Sequence, residues 1–126
     1  VEEMSPSPLV ELIISLRQDP QFGAALVVGS GGVLVELLAD SATLLLPTRP
    51  VEIIRVLKSL RVGRLLEGFR GRPAANIEHV VTEIYKLSIT YQKNMKTIAE
   101  IEINPLFVYR AEVLAIDVLI QVANEK

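Results

Sequence analysis

The sequence contains no cysteine, no tryptophan and a single histidine among its 126 residues. Without cysteine there is no disulfide scaffold, no thiolate nucleophile and no sulfur ligand for a metal. A cytoplasmic setting is the expectation from that absence. The lone His79 excludes a histidine-rich metal centre. Aromatic residues make up 5% of the chain, so the core has to be built from aliphatic side chains. A basic excess is also missing: 13 Lys and Arg stand against 15 Asp and Glu, a net charge of −2. That balance excludes a general nucleic-acid binder. No apolar run approaches the roughly 20 residues that a membrane-spanning helix needs, so no membrane partner is expected. No signal peptide is expected either. Internal repeats and low-complexity tracts are absent.

What is present is unusually apolar. Half of the residues are hydrophobic and the mean hydropathy is +0.39. Such a chain needs strands buried on one or both faces, or a surface that a partner covers. Self-association into a homo-oligomer is one way to cover it. The length suits one domain with one real core, so residues 1–126 are expected to form a single domain. The chain opens on Val1-Glu2-Glu3-Met4. That opening suggests processing, or excision from a longer protein.

The apolar runs are short and separated by turn residues. Leu9–Leu16, Ala24–Val28, Val33–Leu38 and Ala42–Leu46 read as strands. Asp19, Pro20 and Gly23 turn the first into the second, and Gly29-Ser30-Gly31-Gly32 follows the second. Strands joined by so few residues pair antiparallel as a meander. Pro47-Thr48-Arg49-Pro50 ends the pattern. Thr48 or the Pro50 step opens a helix over Val51–Leu60, with Ile53, Ile54, Leu57 and Leu60 on one face. Arg61–Pro73 reads as irregular and basic. Ala74–Asn94 is the longest predicted helix, with Asn76 as its cap and Ile77, Val80, Val81, Ile84, Leu87 and Ser88 as its inner stripe. Thr97–Tyr109 and Val113–Val122 then read as strands of a hairpin. The order of meander, two or three helices and hairpin gives an α+β layout, mostly antiparallel, with the helices on one face.

The segment Glu100-Ile101-Glu102-Ile103-Asn104-Pro105-Leu106 carries the chemistry. A strand has a side-chain period of two, so Glu100, Glu102 and Asn104 share one face while Ile101 and Ile103 serve the core. Ile98 breaks that parity unless a bulge intervenes. Pro105 removes a ladder donor and puts the polar end at an edge or a terminus. If the hairpin turns near residues 110 and 111, Asn104 faces Asp117. That aspartate lies in an otherwise apolar run, where an unpaired carboxylate is costly. With Glu102 one side-chain step away, the group is suited to a hard cation such as Mg²⁺, which takes a few protein oxygens and leaves the rest to water and phosphate. The competing reading has Asp117 capping a backbone amide or pairing with an arginine.

Glu-Ile-Asn-Pro-Leu, followed some residues later by Ala-Ile-Asp, resembles the ATP-grasp portion of succinyl-CoA synthetase β subunits. It is more similar still to ADP-forming acetyl-CoA and acyl-CoA synthetases. Asp19-Pro-Gln-Phe-Gly23, Gly29-Ser-Gly-Gly-Val-Leu-Val-Glu36 and Leu66-Glu-Gly-Phe-Arg-Gly-Arg-Pro73 are similar to that family in the same order. The resemblance runs from about Val10 to Ile120. It implies the C-terminal half of an ATP-grasp fold, with Asn104 and Asp117 holding Mg²⁺ on the phosphates of ATP or ADP and Glu102 as an auxiliary ligand. It implies as partners the N-terminal ATP-grasp half and the CoA-binding domains of the full-length enzyme, which supply the CoA site. By itself such a chain is expected to bind nucleotide weakly and turn nothing over. A second reading is a non-catalytic regulatory module, as in some protein acetyltransferases that carry a related region. A third is an unrelated α+β interaction domain whose polar strand residues are structural.

Four further residues are candidates for nucleotide or phosphate contact. Gly31 and Gly32 could offer backbone amides to a phosphate, or could simply turn the chain. No Gly-Lys-Ser/Thr follows, so a P-loop is excluded. Glu36 shares a face with Leu34 and Leu38, near the cleft or in a salt bridge. Arg70 could grip a phosphate with its guanidinium fork, or brace its loop. His79 sits inside the long helix and reads as a surface histidine.

Overall fold

The computed structural model describes residues 7–31, 40–68, 71 and 73–123. Strand β1 (Val10–Asp19) turns into β2 (Gly23–Ser30), and β3 (Ser41–Leu45) follows. Helices α1 (Pro50–Ser59), α2 (Gly63–Leu66) and α3 (Ile77–Lys93) come next, and then strands β4 (Ile98–Val108), β5 (Val113–Ala115) and β6 (Val118–Val122). The strands form one antiparallel six-stranded sheet in the order β3-β2-β1-β4, with β5 and β6 both laid along the outer side of β4. This is the α+β layout read from the strand and helix order. The expected strand at Val33–Leu38 lies outside the described residues.

Alternation in the strands decides which face the helices cover. On β1, Val10, Leu12, Ile14 and Leu16 are buried. They pack with Leu26 and Val28 of β2, with Ile101 and Ile103 of β4, and with Ile53, Leu57, Val80, Val81 and Ile84 from the helices in one aliphatic core. Each such side chain contributes on the order of 1.5–3 kcal/mol by leaving water. The opposite face carries Glu11, Ile13, Ser15 and Arg17 of β1 and has no helix among the described residues. No helix among them is long and apolar enough to cross a membrane.

The turn from β1 to β2 forms because Asp19 Oδ1 accepts the amides of Gln21 (2.8 Å) and Phe22 (3.0 Å) and Gly23 takes φ +91°. Helix α3 starts three residues later than expected. Asn76 is the cap, its Oδ1 accepting the His79 amide at 3.1 Å, while Ala75 and Asn76 use their own amides on Leu66 and Arg110 carbonyls. The long helix also buries Tyr91, whose hydroxyl donates to the Ala99 carbonyl at 3.0 Å. The stretch from Arg61 holds the short helix α2 rather than being wholly irregular.

Candidate cation site on the open sheet face

The hairpin after β4 fixes the site. Tyr109 and Glu112 close it, and the register runs Val108 with Val113, Phe107 with Leu114 and Leu106 with Ala115. Across the break it resumes unchanged: Ile103 faces Val118, Glu102 faces Leu119 and Ile101 faces Ile120. The register set by the turn between residues 110 and 111 therefore holds from Val108 back to Glu100. The expected continuous strand Val113–Val122 is interrupted at Ile116 and Asp117, opposite Asn104 and Pro105. The register between β1 and β4 slips at the same level, between Leu12 and Ile14, and the Asn104–Pro105 peptide is cis. Side-chain parity reverses there: Ile101 and Ile103 are buried before the slip, and Leu106 and Val108 after it. Two backbone bonds span the break, from the Asn104 amide to the Asp117 carbonyl (3.0 Å) and from the Ile116 amide to the Pro105 carbonyl (3.1 Å). The parity of Ile98 is restored by a second slip of β6 against β4, between Ile98 and Glu100.

Asn104 and Asp117 are thus neighbours, both exposed, and half-buried Glu102 stands beside them. With Val118 and Leu119 these side chains line an open depression of about 270 Å³ on the sheet face opposite the described helices. The protein offers two carboxylates and one amide oxygen. Among the described residues no group of three His, Cys, Asp or Glu side chains gathers into a closed metal cage. Hard oxygen donors on one side of an open depression fit Mg²⁺, which keeps several positions for water and phosphate. They do not fit the imidazole and thiolate preference of zinc.

The other expected contacts fare differently. Gly32, Glu36 and Arg70 lie outside the described residues. Gly31 is described, and its amide donates to the Glu11 carbonyl at 2.8 Å. A Cβ at Gly31 would meet the Glu11 backbone at 3.1 Å. A side chain there would crowd β1, and the Gly31 amide is already used within the sheet, which argues against its giving that amide to a phosphate. His79 is half-buried in the first turn of α3, in the helix layer.

Two side chains on this face escaped the sequence reading. Ser15 faces Val27 on one side and Glu102 on the other, and Arg17 faces Ala25 and Glu100. Ser15 Oγ is buried with no hydrogen-bond partner in the protein. Arg17 is exposed and makes no ion pair with a described carboxylate, Glu100 included. The signal was available: strand parity from Glu11 puts Ser15 and Arg17 on the same face.

A family model for the ATP-grasp domain matches residues 1–122. The chain belongs to the ATP-grasp family. This ATP-grasp chain is 39% identical over 112 residues to an ADP-forming acetate–CoA ligase of Methanocaldococcus jannaschii, covering 86% of itself and 15% of that protein. It is 35% identical over 100 residues to the β subunit of an ADP-forming acetate–CoA ligase II of Pyrococcus furiosus, covering 79% of itself and 42% of that subunit. Its fold is similar to a solved acetyl-CoA synthetase 1 of Ca. Korarchaeum cryptofilum, captured with coenzyme A and Mg-AMPPCP. That likeness has a TM-score of 0.85 and 32% identity, and covers 95% of this chain and 55% of the other. The ATP-grasp chain therefore spans less than half the length of these ligase relatives and about half of the solved neighbour.

Proposed function

We propose that this chain is the cation-holding half of an ATP-grasp site in an ADP-forming acyl-CoA synthetase. The observation that carries the reading is the convergence of Glu102, Asn104 and Asp117 on one open depression of the sheet face opposite the described helices. Asn104 and Asp117 hold Mg²⁺ against the nucleotide phosphates, and Glu102 completes or orients the set. The bound metal supplies charge neutralisation on phosphate oxygens during phosphoryl transfer. The chain's own contribution is positional. The hydrogen bonds across the break in β5–β6 fix Asp117 beside Asn104, and the sheet excludes water from below. The N-terminal half of the fold closes over the sheet face opposite the described helices, and the CoA-binding domains belong to the rest of the synthetase. The share of each relative left unmatched supports this division, as does the apolar surface exposed on β5 and β6.

The test is made in the full-length parent. Asp117→Asn removes one anionic ligand with little change of shape. Acyl-CoA formation from acid, CoA and ATP is expected to fall about a hundredfold or more, with a raised Mg²⁺ requirement. Unchanged turnover at unchanged Mg²⁺ dependence would overturn the assignment.

A further inference from the structure

Ser15 occupies an odd position. It lies on the face of β1 opposite the described helices, yet it is only 5% exposed, and its Oγ bonds to nothing in the protein. Buried hydroxyls are nearly always partnered, and one that is not lowers stability. Alanine would occupy the same place in the ladder without that penalty. The side chains facing Ser15 across the sheet narrow the possible partners. Val27 of β2 has no polar side-chain atom, whereas Glu102 of β4 has two carboxylate oxygens. Glu102 is also the least exposed of the three polar residues around the depression. Its flexible side chain must be held if one oxygen is to meet a cation. A serine hydroxyl is short and uncharged, so it can fix a carboxylate without competing for the cation's charge, as an ammonium would.

We propose that Ser15 is a positioning residue for Glu102. When a divalent cation enters the depression, the Ser15 hydroxyl donates to one carboxylate oxygen of Glu102 and leaves the other directed at the ion. This rests on the reading of the depression as a cation site and deepens it by one residue, on a different strand. The exposed Arg17, one side-chain step along β1, faces Glu100 rather than Glu102 and does not replace the hydroxyl.

Mn²⁺ serves as the probe in the full-length parent, titrated in the presence of ADP and followed by electron paramagnetic resonance of the free ion. Ser15→Ala is expected to weaken Mn²⁺ binding about tenfold. Its metal-free melting temperature is expected to stay level or rise, because an unsatisfied hydroxyl has been removed. In a Glu102→Gln background, adding Ser15→Ala is expected to change nothing further, since the hydroxyl acts through that carboxylate. Wild-type Mn²⁺ affinity in Ser15→Ala, with affinity lost in Asp117→Asn, would overturn the role of Ser15 and leave the cation site standing. Wild-type affinity in Asp117→Asn would overturn both. A melting temperature that falls together with the affinity would show that Ser15 is structural, and would overturn the proposal as well.

Discussion

Thr48 is nearly closed to solvent, and its hydroxyl donates to Glu52 Oε1 at 2.9 Å. The Arg49 amide donates to the same oxygen at 3.4 Å. These two bonds, the Thr48 hydroxyl first, hold the Glu52 carboxyl below its ordinary value of 4.5. A carboxyl with a depressed folded pKa contributes stability that is fully present above the unfolded value. That stability is lost as pH falls through the folded pKa. Acidification below about pH 4.5 is therefore expected to loosen the start of α1. Thr48→Val keeps the shape and removes the donor. Carbon-detected NMR titration is expected to show the Glu52 midpoint moving up toward 4.5 in that variant. A midpoint that stays in place would show that Thr48 is not the cause. The sequence offered Thr48 or the Pro50 step as the opening of this helix; the structure caps it at Arg49 with Pro50 as its first residue, and the Thr48–Glu52 bond was not read from the sequence.

At the scale of elements, the tie that matters most is long in sequence. Asp40 precedes β3, where the local pattern of Ala39-Asp40-Ser41 suggests a turn and nothing more. In the fold it is buried. Its Oδ1 accepts the Arg61 amide at 2.9 Å and its Oδ2 the Val62 amide at 3.0 Å, ahead of α2. Its own carbonyl receives the Ser30 amide at 2.8 Å. One residue thereby joins β2, the start of β3 and the junction between α1 and α2. Asp40→Ala leaves two amides without partners, one of them in a buried bond, and is expected to cost about 1.5–3 kcal/mol. Urea denaturation with an unchanged slope and a lowered midpoint would register this loss. A midpoint within experimental error of wild type would refute it. No sequence pattern reveals such a bond, because its partners are backbone amides 21 and 22 residues away. The register of β4 against β6 was legible for the opposite reason. A short turn at Arg110 and Ala111 sets the facing pairs from Val108 back to Glu100, which brings Asn104 opposite Asp117. What the turn could not show was the break at Ile116 and Asp117. That break coincides with a slip between β1 and β4, strands far apart in the chain. The same distance hid Ser15, whose interest comes from facing Glu102.

The whole molecule is unbalanced between its two edges. On the β3 side the exposed positions are Ser41, Thr43 and one large apolar residue, Leu45. The other side ends on β5 and β6, where Leu114, Ile116, Val118, Leu119, Ile120 and Val122 are all large, apolar and exposed, Val122 by 77%. No further strand pairs the outer side of β6 among the described residues. A free strand edge of this composition, with no lysine or proline to guard it, invites pairing with another chain. Sequence composition announced a surplus of apolar residues without placing it, since alternation cannot distinguish a strand buried on both faces from one stripped of its cover. On the function proposed above, further segments of the same protein cover this edge. In the isolated chain the same edge is left to meet its own copies. Purified residues 1–126 are therefore expected to self-associate with rising concentration, read by sedimentation velocity. Placing charges on the edge by Ile120→Lys and Val122→Lys, away from Glu102, Asn104 and Asp117, is expected to return the chain to a monomer. Its circular dichroism should not change, because both positions are already half or more exposed. If the unmodified chain stayed monomeric throughout, the apolar edge would not be what drives association. If the charged variant unfolded, the edge would be part of the fold's own support rather than a surface awaiting a partner.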